Sequence, residues 1–330
     1  MAEKIKVAVV GVGDFGQHHA RVYRSLEEAE LAGVFDTDAE RARAVAQEHE
    51  THAFGSLEEL AEAARAVSVA VPTGEHARVG AELLRRGCDV LVEKPIAASL
   101  AEADELIGAA EAGRRILQVG HTERFNPAVQ AAAKIVTQPL FFEVHRLGGF
   151  SGRSLDVDVI FDVMIHDLDI LLAFVAAPVE QVHAVGIPIL SPRVDIASVR
   201  LEFANGCVAN LTASRVSTDK VRKLRFFQPR EYVSIDYTRR DALLIRLNEK
   251  GGAPILPGLP AGLEIKKLET AAEEPLRAEL RSFLEAVRGR ASRPVTGAEG
   301  RRALELAERV AAGIAAHARK LPAALTAAPK

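Results

Sequence analysis

The chain has 330 residues, with 42 Lys or Arg, 45 Asp or Glu, and a formal net charge of −3 at pH 7. This length is enough for two domains with separate cores, and the balanced charge gives no support to a nucleic-acid-binding or membrane-surface protein. The N-terminus shows no signal-peptide core, and no apolar run is long enough to span a bilayer. Cys88 and Cys207 fit no metal-ligand spacing, so we expect a reduced, cytoplasmic protein without a metal site.

The first 36 residues have the order strand, glycine turn, helix, strand. Apolar runs at 7–10 and 31–35 flank a segment with the composition of a helix. The turn reads Gly11, Val12, Gly13, Asp14, Phe15 and Gly16. In a dinucleotide-binding unit, Gly11 would make the tight turn, Gly13 would let the backbone approach the pyrophosphate, and Gly16 would let the helix pack closely. An ordinary strand–helix turn is the alternative interpretation.

Asp36 ends the second predicted strand, twenty residues after Gly16. A carboxylate there can accept hydrogen bonds from both hydroxyls of the adenosine ribose. The same negative charge repels a 2′-phosphate, so the sequence favours NAD over NADP.

Short apolar strands and helices then alternate to about residue 120. The predicted strands are 52–54, 66–71, 89–92 and 116–119, and the predicted helices are 37–49, 77–86 and 100–112, with a further helix opened by Ser56 and Glu59. This alternation predicts an α/β fold with a doubly wound parallel Rossmann sheet, so we expect residues 1–122 to form an NAD-binding domain.

The pattern changes from about Gln138 to a series of strands with few helices. The predicted strands are 141–147, 181–190, 196–204, 207–214, 220–227, 232–237, 243–248 and 263–268, and the predicted helices are 158–174, 275–288 and 297–319. This pattern predicts an α+β domain at 123–330, for substrate binding and oligomerisation, with C-terminal helices able to pack back on the first domain. Its largely antiparallel sheet has an open face suited to self-association.

Two predicted strands end in polar turns at the carboxyl edge of the parallel sheet, where ligands bind. One turn contains Pro72, Thr73 and His76, and the other is Glu93-Lys94-Pro95. A lysine at this edge can donate a hydrogen bond to a substrate oxygen and stabilise a developing alkoxide. The alternatives are a surface histidine at a helix start and a surface lysine at a strand end.

Helix 158–174 is apolar over most of its circumference, yet Asp158, Asp162, His166 and Asp169 recur at helical spacing. A polar stripe on a buried helix faces water or a functional cleft. Asp162 could orient His166 as a general base for an alcohol proton. A solvated face is the alternative, and a metal site at His166 with Asp162 or Asp169 is a weaker one.

Two further groups of polar residues could contact a substrate. Residues 120–127 follow the last strand of the first domain and bring His121, Glu123, Arg124 and Asn126 to the expected domain junction, a favoured place for ligands. A basic group could meet a diphosphate and comprises Arg153, Arg215, Lys220, Arg222, Lys223 and Arg225. The alternatives are an interdomain linker and a solvated strand face.

With these residues together, the whole chain resembles the Gfo/Idh/MocA oxidoreductases. The resemblance rests on GVGDFG, on Val71-Pro72-Thr73 before His76, on Glu93-Lys94-Pro95, and on Asp162 with His166 four residues later. It implies that Lys94, Asp162 and His166 are the catalytic group. The cofactor contacts expected for NAD are Gly11, Gly13, Asp14, Phe15, Gly16, Asp36, Pro72, Thr73, His76, Glu93, Lys94 and Arg124.

Residues 120–127 and 162–167 resemble a subgroup that oxidises nucleotide sugars. The implied reaction is NAD-dependent oxidation at C3 of UDP-N-acetylglucosamine, whose 3-keto product a PLP aminotransferase converts to a 3-amino sugar for lipid A. The expected substrate contacts are His121, Glu123, Arg124, Asn126, Arg153 and Arg215. A homodimer or homotetramer is also implied. A free-sugar or inositol dehydrogenase of the same fold remains an alternative, as does a regulatory protein that binds NAD(H) without turnover.

Overall fold

The computed structural model describes residues 3–150, 157–248, 251, 260–289 and 294–320. The chain forms two compact units. The first comprises Met1–Phe125 and Glu273–Leu304, and the second comprises Asn126–Ala272 and Glu305–Lys330. The division of function between residues 1–122 and 123–330 stays a prediction.

The strands form two sheets. The first sheet contains β1 (Ile5–Val10), β2 (Ala29–Phe35), β3 (His52–Ala53), β4 (Ala66–Val69), β5 (Asp89–Glu93) and β6 (Leu117–Gly120). The second contains β7 (Phe141–Leu147), β8 (Val179–Ile187), β9 (Ile196–Phe203), β10 (Val208–Ser214), β11 (Val221–Gln228), β12 (Glu231–Asp236), β13 (Asp241–Leu247) and β14 (Leu263–Lys267). Each predicted strand corresponds to an observed one, within a few residues at its ends.

The α-helices are α1 (Gly16–Ser25), α2 (Ala39–Glu48), α3 (Leu57–Ala63), α4 (His76–Arg85), α5 (Leu100–Gly113), α6 (Pro127–Ala133), α7 (Ile165–Phe174), α8 (Pro275–Val287) and α9 (Gly297–Ala318). Local side chains explain several of their starts. The Asp38 carboxylate accepts from two amides of α2, and the Ser56 hydroxyl accepts from the Glu59 amide at 3.2 Å. Each bond satisfies a donor that a helix N-terminus leaves without an intrahelical partner.

The first sheet is parallel and has the strand order β3-β2-β1-β4-β5-β6. The order reverses direction between β1 and β4, and such a switch point is where doubly wound sheets bind ligands. The carboxyl ends of β1, β4 and β5 carry the glycine turn, the segment after Val69, and Lys94. The predicted Rossmann fold is confirmed.

The core of the first unit includes side chains from distant parts of the chain. Val7 and Val9 of β1 and Tyr23 of α1 lie in the same buried cluster as Leu280 and Phe283 of α8. All five are at most 1% exposed, so α8 is an integral part of this core rather than an appendage. Its proline at the first helical turn needs no amide partner there, which suits that position.

The second sheet has the order β14-β13-β12-β11-β7-β10-β9-β8. β7 and β10 pair in parallel, whereas the other described pairs are antiparallel. Phe142 and Phe226 lie on its covered face, with ring centroids 6.5 and 6.0 Å from that of Phe174 in α7. The predicted α+β unit with a largely antiparallel sheet is confirmed.

The opposite face of this sheet is formed by alternate residues along the strands. Their side chains are half-buried or exposed. The cross-strand register aligns a row of large apolar side chains across five strands: Phe141, Phe227, Tyr232, Ile245 and Ile265. Ile265 is 51% exposed, and the neighbouring Leu243 is 36% exposed. Among the described residues, no helix has the length and apolarity needed to cross a bilayer.

Two features were not anticipated from the sequence. One is α6, a short helix whose first amides are capped by Asn126. The other lies inside the predicted helix 158–174, where Ile160–Met164 forms a π-helical turn before α7. Because a π turn has more residues per turn than an α-helix, the expected four-residue polar stripe is out of phase across it.

Candidate functional site

The glycine turn after β1 has the steric features that a dinucleotide needs. Gly11 has φ of +80°, and a Cβ on Gly16 would lie 1.7 Å from the Gly11 carbonyl oxygen. A Cβ on Gly13 would meet no atom within 4 Å, so open space lies in front of that backbone. These three glycines therefore match the roles of tight turn, cofactor approach and close helix packing. Asp14 and Phe15 complete the turn, and the Phe15 side chain is 64% exposed.

Asp36 is tied to the glycine turn by its carboxylate. One oxygen accepts from the Val12 amide at 2.9 Å, and the other accepts from the Asp38 amide at 2.9 Å. The guanidinium of Arg41 lies 3.4 Å from the same carboxylate. An ionised carboxylate has about four acceptor positions, so these bonds leave capacity for ribose hydroxyls. The NAD-specific role of Asp36 stays a prediction.

Lys94 follows β5, and its peptide bond to Pro95 is cis. The preceding Glu93 is buried and accepts from the Lys94 amide at 3.2 Å. Its other oxygen lies 3.0 Å from Nε2 of His19, which is 1% exposed. Burial acts to raise the pKa of Glu93, but the hydrogen bond and charge of His19, with the charge of Lys94, hold that pKa below its usual range.

His76 lies within the first unit rather than on its surface. It is 1% exposed, with Nδ1 2.9 Å from the Pro95 carbonyl oxygen and Nε2 2.9 Å from the Val71 carbonyl oxygen. Burial lowers the pKa of this imidazole, against the opposing effects of the two carbonyls and Glu93. The predicted cofactor contacts of Pro72, Thr73 and His76 stay predictions, and the ring nitrogens of His76 face backbone.

The segment after β6 divides between the two units. Thr122–Phe125 forms a short 3₁₀ turn, in which the guanidinium of Arg124 lies 3.3 Å from Glu299. Burial acts to raise the pKa of Glu299, but bonds from Thr296 and the charge of Arg124 keep it below its usual range. His121 is 1% exposed, whereas Glu123 is partly exposed. The roles predicted for His121, Glu123 and Arg124 stay predictions.

Asn126 has a structural role in the second unit. Its side-chain oxygen accepts from the Ala128 amide at 3.1 Å, and its side-chain nitrogen donates to the Tyr237 carbonyl at 3.1 Å. It is 3% exposed. Both ends of the amide are thus used to cap α6 and tie it to the end of β12, and a substrate contact for Asn126 stays a prediction.

The four residues of the predicted polar stripe do not share one environment in the second unit. The Asp158 carboxylate accepts from the Val194 amide at 2.9 Å, and Asp169 is 1% exposed. Asp162 and His166 are partly exposed. Asp162 lies within the π-helical turn, and His166 is the second residue of α7, which begins at Ile165. Such turns occur often at functional sites, and the catalytic roles of Asp162 and His166 stay predictions.

Sequence reasoning missed the anchor beside His166. The guanidinium of Arg146 on β7 donates to both oxygens of Asp167, at 2.7 and 2.9 Å, and Tyr237 donates to one of them at 3.0 Å. Arg146 also lies 4.5 Å from the centroid of the Tyr237 ring. Asp167 is 1% exposed. Three interactions thus fix the residue next to the candidate base. The only sequence signal for them was the alternation along β7, which turns Arg146 inward.

Arg215 is buried in a network of its own. Its guanidinium donates to Asp195 at 2.8 Å, to Ser191 Oγ at 3.0 Å and to the Val157 carbonyl at 2.7 Å. Burial acts to raise the pKa of Asp195, but bonds from Ser191, Arg215 and backbone amides together hold that pKa far below its usual range. These contacts give Arg215 a structural role, and its substrate role stays a prediction. Arg153 lies outside the described residues.

The remaining basic residues of the predicted phosphate group lie on or beside β11. Lys223 is 4.0 Å from Asp236, and Arg225 is 3.8 Å from Glu143. Arg222 and Lys220 are exposed. Acidic neighbours on adjacent strands therefore offset part of this charge, and the diphosphate role stays a prediction. Within the described ranges, no three His, Cys, Asp or Glu side chains are grouped so that they could hold a metal ion.

Comparison with known proteins adds two family matches. Residues 5–121 match the family described as "Oxidoreductase family, NAD-binding Rossmann fold", of the Gfo/Idh/MocA type. Residues 142–229 match the GFO/IDH/MocA C-terminal domain. The matched segments contain Lys94, Asp162 and His166.

One relative matches nearly the whole chain, and another matches about two thirds of it. The UDP-N-acetylglucosamine 3-dehydrogenase of Acidithiobacillus ferrooxidans is 37% identical over 315 residues, which cover 94% of this chain and 98% of that protein. A solved structure of this relative has a TM-score of 0.87 and 34% identity, covering 96% of this chain and 99% of the other. The inositol 2-dehydrogenase of Rubrobacter xylanophilus is 30% identical over 230 residues, 66% of either chain.

Proposed function

Because the chain belongs to the Gfo/Idh/MocA family of NAD-binding oxidoreductases, we propose that it oxidises C3 of UDP-N-acetylglucosamine to a ketone. The observation that carries this proposal is the 37% identity to a UDP-N-acetylglucosamine 3-dehydrogenase over 98% of that relative. An inositol dehydrogenase matches over a smaller share, 66% of its length. The product would be the 3-keto sugar nucleotide.

The chemistry requires a hydroxyl proton acceptor, a group that stabilises the oxygen, and a hydride acceptor. Bound NAD would supply the hydride acceptor, with its pyrophosphate at Gly11, Gly13 and Gly16 and its adenosine ribose at Asp36. His166, oriented by Asp162, would take the hydroxyl proton. Lys94 would donate a hydrogen bond to the oxygen as it becomes a carbonyl.

The protein environment of these groups suits their roles. Asp162 lies in the π-helical turn, and His166 is followed directly by Asp167, which Arg146 clamps. Lys94 follows a buried glutamate whose carboxylate holds the lysine's own amide. A catalytic side chain gains from a backbone fixed before the substrate binds, since little reorganisation is then needed during the reaction.

The direct test mixes purified protein with NAD and UDP-N-acetylglucosamine and follows NADH absorbance. Hydroxylamine must be present to trap the ketone, because oxidation of an alcohol by NAD near neutral pH is uphill. We expect NADH with UDP-N-acetylglucosamine and none with free N-acetylglucosamine or myo-inositol. Mass spectrometry of the trapped oxime would locate the ketone. NADH with a free polyol alone would retain the enzyme class and reject the nucleotide-sugar substrate.

The proposed product has a chemically defined next step. A 3-keto sugar nucleotide is a substrate for a PLP aminotransferase, which would give the 3-amino sugar used in lipid A. Supplying such an aminotransferase and an amino donor should replace hydroxylamine in the assay by consuming the ketone. Failure of the transferase to increase NADH formation, in an assay where hydroxylamine does so, would argue against this coupling.

We also propose that the open face of the second sheet joins copies of the chain into a homodimer or homotetramer. The aligned row across β7, β11, β12, β13 and β14 offers a continuous apolar surface, and large exposed patches of this kind mark association sites. Leu243→Asp should shift the mass measured by light scattering toward the monomer. Leu190→Asp is the matched control, because Leu190 is 55% exposed but lies outside the strands. Equal masses for wild type and Leu243→Asp would count against this surface.

The proposed cell compartment is the cytoplasm. Cys88 and Cys207 are both unpaired thiols and both buried, which suits a reducing compartment. Fractionation of cells that produce the protein would test this, with recovery outside the cytoplasmic fraction as the opposing result.

A further inference from the structure

The residues on both sides of Lys94 are each held by a buried histidine. Glu93, which precedes it, has its carboxylate 3.0 Å from Nε2 of His19 in α1. Pro95, which follows it, has its carbonyl oxygen 2.9 Å from Nδ1 of His76 in α4. Both histidines are 1% exposed. Neither imidazole has a role in the proposed reaction.

The His19 contact defines which ring nitrogen carries a proton. An ionised carboxylate can only accept a hydrogen bond, so Nε2 of His19 must donate to Glu93. Nδ1 of His19 is buried and has no hydrogen-bond partner among the described residues, so the described hydrogen bonding of this ring runs through Nε2. The second oxygen of Glu93 then accepts from the Lys94 amide at 3.2 Å. His19 thus acts on the lysine backbone through a single carboxylate.

The His76 ring joins two segments of the carboxyl edge. Its Nε2 lies 2.9 Å from the carbonyl oxygen of Val71, and its Nδ1 reaches Pro95. Both partners are carbonyls, which only accept hydrogen bonds. A neutral imidazole has one N–H, so it donates to one carbonyl at a time, whereas the protonated ring donates to both. The contact that bears on Lys94 is the one from Nδ1.

We propose that His19 and His76 are positioning residues that fix the backbone on either side of Lys94 and so aim its ammonium group at the reacting oxygen. This proposal rests on the role of Lys94 in the proposed function. Lys94 has a long, flexible side chain, so its pre-organisation depends on where its backbone is held. A displacement of about 1 Å in a catalytic group can lower the rate roughly 10²-fold.

Matched Asn and Gln substitutions test whether each histidine positions the backbone through its hydrogen bond or only fills space. The amide nitrogen of Asn can occupy the place of the imidazole Nδ1, and that of Gln can occupy the place of Nε2. His19→Gln therefore keeps the donor to Glu93, and His19→Asn removes it. For His76 the pattern is reversed. His76→Asn keeps the donor to the Pro95 carbonyl. His76→Gln removes that donor and keeps the donor to the Val71 carbonyl.

The experiment measures kcat and KM of the four full-length variants with NAD and the sugar nucleotide, and NADH affinity by fluorescence. We expect His19→Gln to retain kcat within about threefold, and His76→Asn to retain more of it than His76→Gln does. His19→Asn and His76→Gln should lose about tenfold or more in kcat, within the range set by misplacement of a catalytic group. NADH affinity should stay within about twofold of wild type in both His19 variants, and within about twofold of each other in the two His76 variants. Each variant's melting temperature shows whether it is folded.

Equal kcat values within both pairs would overturn the positioning proposal. The same holds if the loss of kcat follows the loss of melting temperature rather than which side-chain nitrogen the variant retains. Lys94→Ala, measured in parallel, tests the proposed function itself. If Lys94→Ala abolishes turnover and the pairs do not differ, the function stands and the positioning proposal fails. If Lys94→Ala turns over near the wild-type rate, the lysine has no catalytic role and both proposals fail.

Discussion

Arg146 closes a two-point ion pair on Asp167, the residue directly after His166, with N–O distances of 2.7 and 2.9 Å. Both side chains are almost wholly buried, and Tyr237 adds a third bond to the same carboxylate. The pair joins α7 to β7 inside the second unit. The candidate base His166 on α7 is therefore next to a residue that is anchored on both carboxylate oxygens.

Arg146→Met should destabilise the protein by about 3–5 kcal/mol, because it leaves the Asp167 charge buried and without its guanidinium partner. Urea unfolding followed by circular dichroism measures the change. Arg200→Met is the control, since Arg200 pairs with Glu202 on the surface and its loss should cost less than about 1 kcal/mol. Equal losses for the two variants would show that the buried pair is not a principal anchor.

Lys94→Ala and His166→Asn should each lower kcat by about 10²–10⁴-fold, since in the proposed reaction each removes a group that acts on the hydroxyl. NADH affinity, measured by fluorescence titration, should change little. Asp162→Asn should give a smaller loss, because it removes only the charge that is proposed to orient His166. A wild-type kcat for His166→Asn at saturating substrate would contradict its role as the base.

Asp36→Ser should reduce the preference for NAD over NADP by at least about tenfold, because the carboxylate no longer repels the 2′-phosphate. Arg41 lies 3.4 Å from Asp36 and would then be available to that phosphate. The ratio of kcat/KM values is the proper measure, since loss of the Val12 amide bond affects both cofactors alike. Asp38→Asn keeps the α2 cap and removes a nearby charge, so its ratio should stay close to wild type.

His76 should make the protein less stable in mild acid. Burial lowers its pKa in the folded state, so the unfolded chain takes up the proton first as the pH falls below about 6.5. Unfolding is then favoured from that pH down to the folded-state pKa. The stability advantage of wild type over His76→Asn should therefore shrink between pH 8 and pH 5.5, as measured by urea unfolding at each pH. A constant difference would show that His76 does not titrate differently on folding.

Both cysteines should be unreactive in the native protein. Burial raises the pKa of Cys88 and of Cys207 to about 11, and each residue is 1% exposed. Because the thiolate is the reacting species, labelling by a disulfide reagent at pH 8 should be at least about 100-fold slower in buffer than in urea. Rapid native labelling of one equivalent would identify a cysteine that opens locally.

The sequence was informative where a short local pattern determines the structure. The alternation of strands and helices after the glycine turn, and the later run of strands with few helices between them, were sufficient to predict both sheets. The parallel pairing of β7 with β10 was not predicted, because residues 141–147 and 208–214 are far apart and either direction buries the same side chains. The signal for α6 was present, as Asn126 followed by Pro127 is a typical helix start.

The contacts that hold the candidate site residues could not be predicted from local sequence patterns. His19 meets Glu93 across 74 positions, and Arg215 meets Asp195 across 20. Neither pairing has a periodic signature, since each depends on which strands become neighbours. The π-helical turn at Ile160–Met164 was also hidden, because the residues there suit an α-helix equally well. Sequence therefore identified Lys94, Asp162 and His166 as candidates but not the residues that hold them.

The place of α8 in the first core affects how the chain can fold during synthesis. Leu280, Phe283, Leu284 and Val287 complete a cluster whose other members lie within the first 91 residues. At translation rates of roughly 5–20 residues per second, the ribosome needs on the order of 10 s to go from residue 125 to residue 287. During that interval the nascent Rossmann sheet presents an apolar surface next to α1. Chaperones that bind exposed apolar segments would have their longest opportunity there, before α8 emerges.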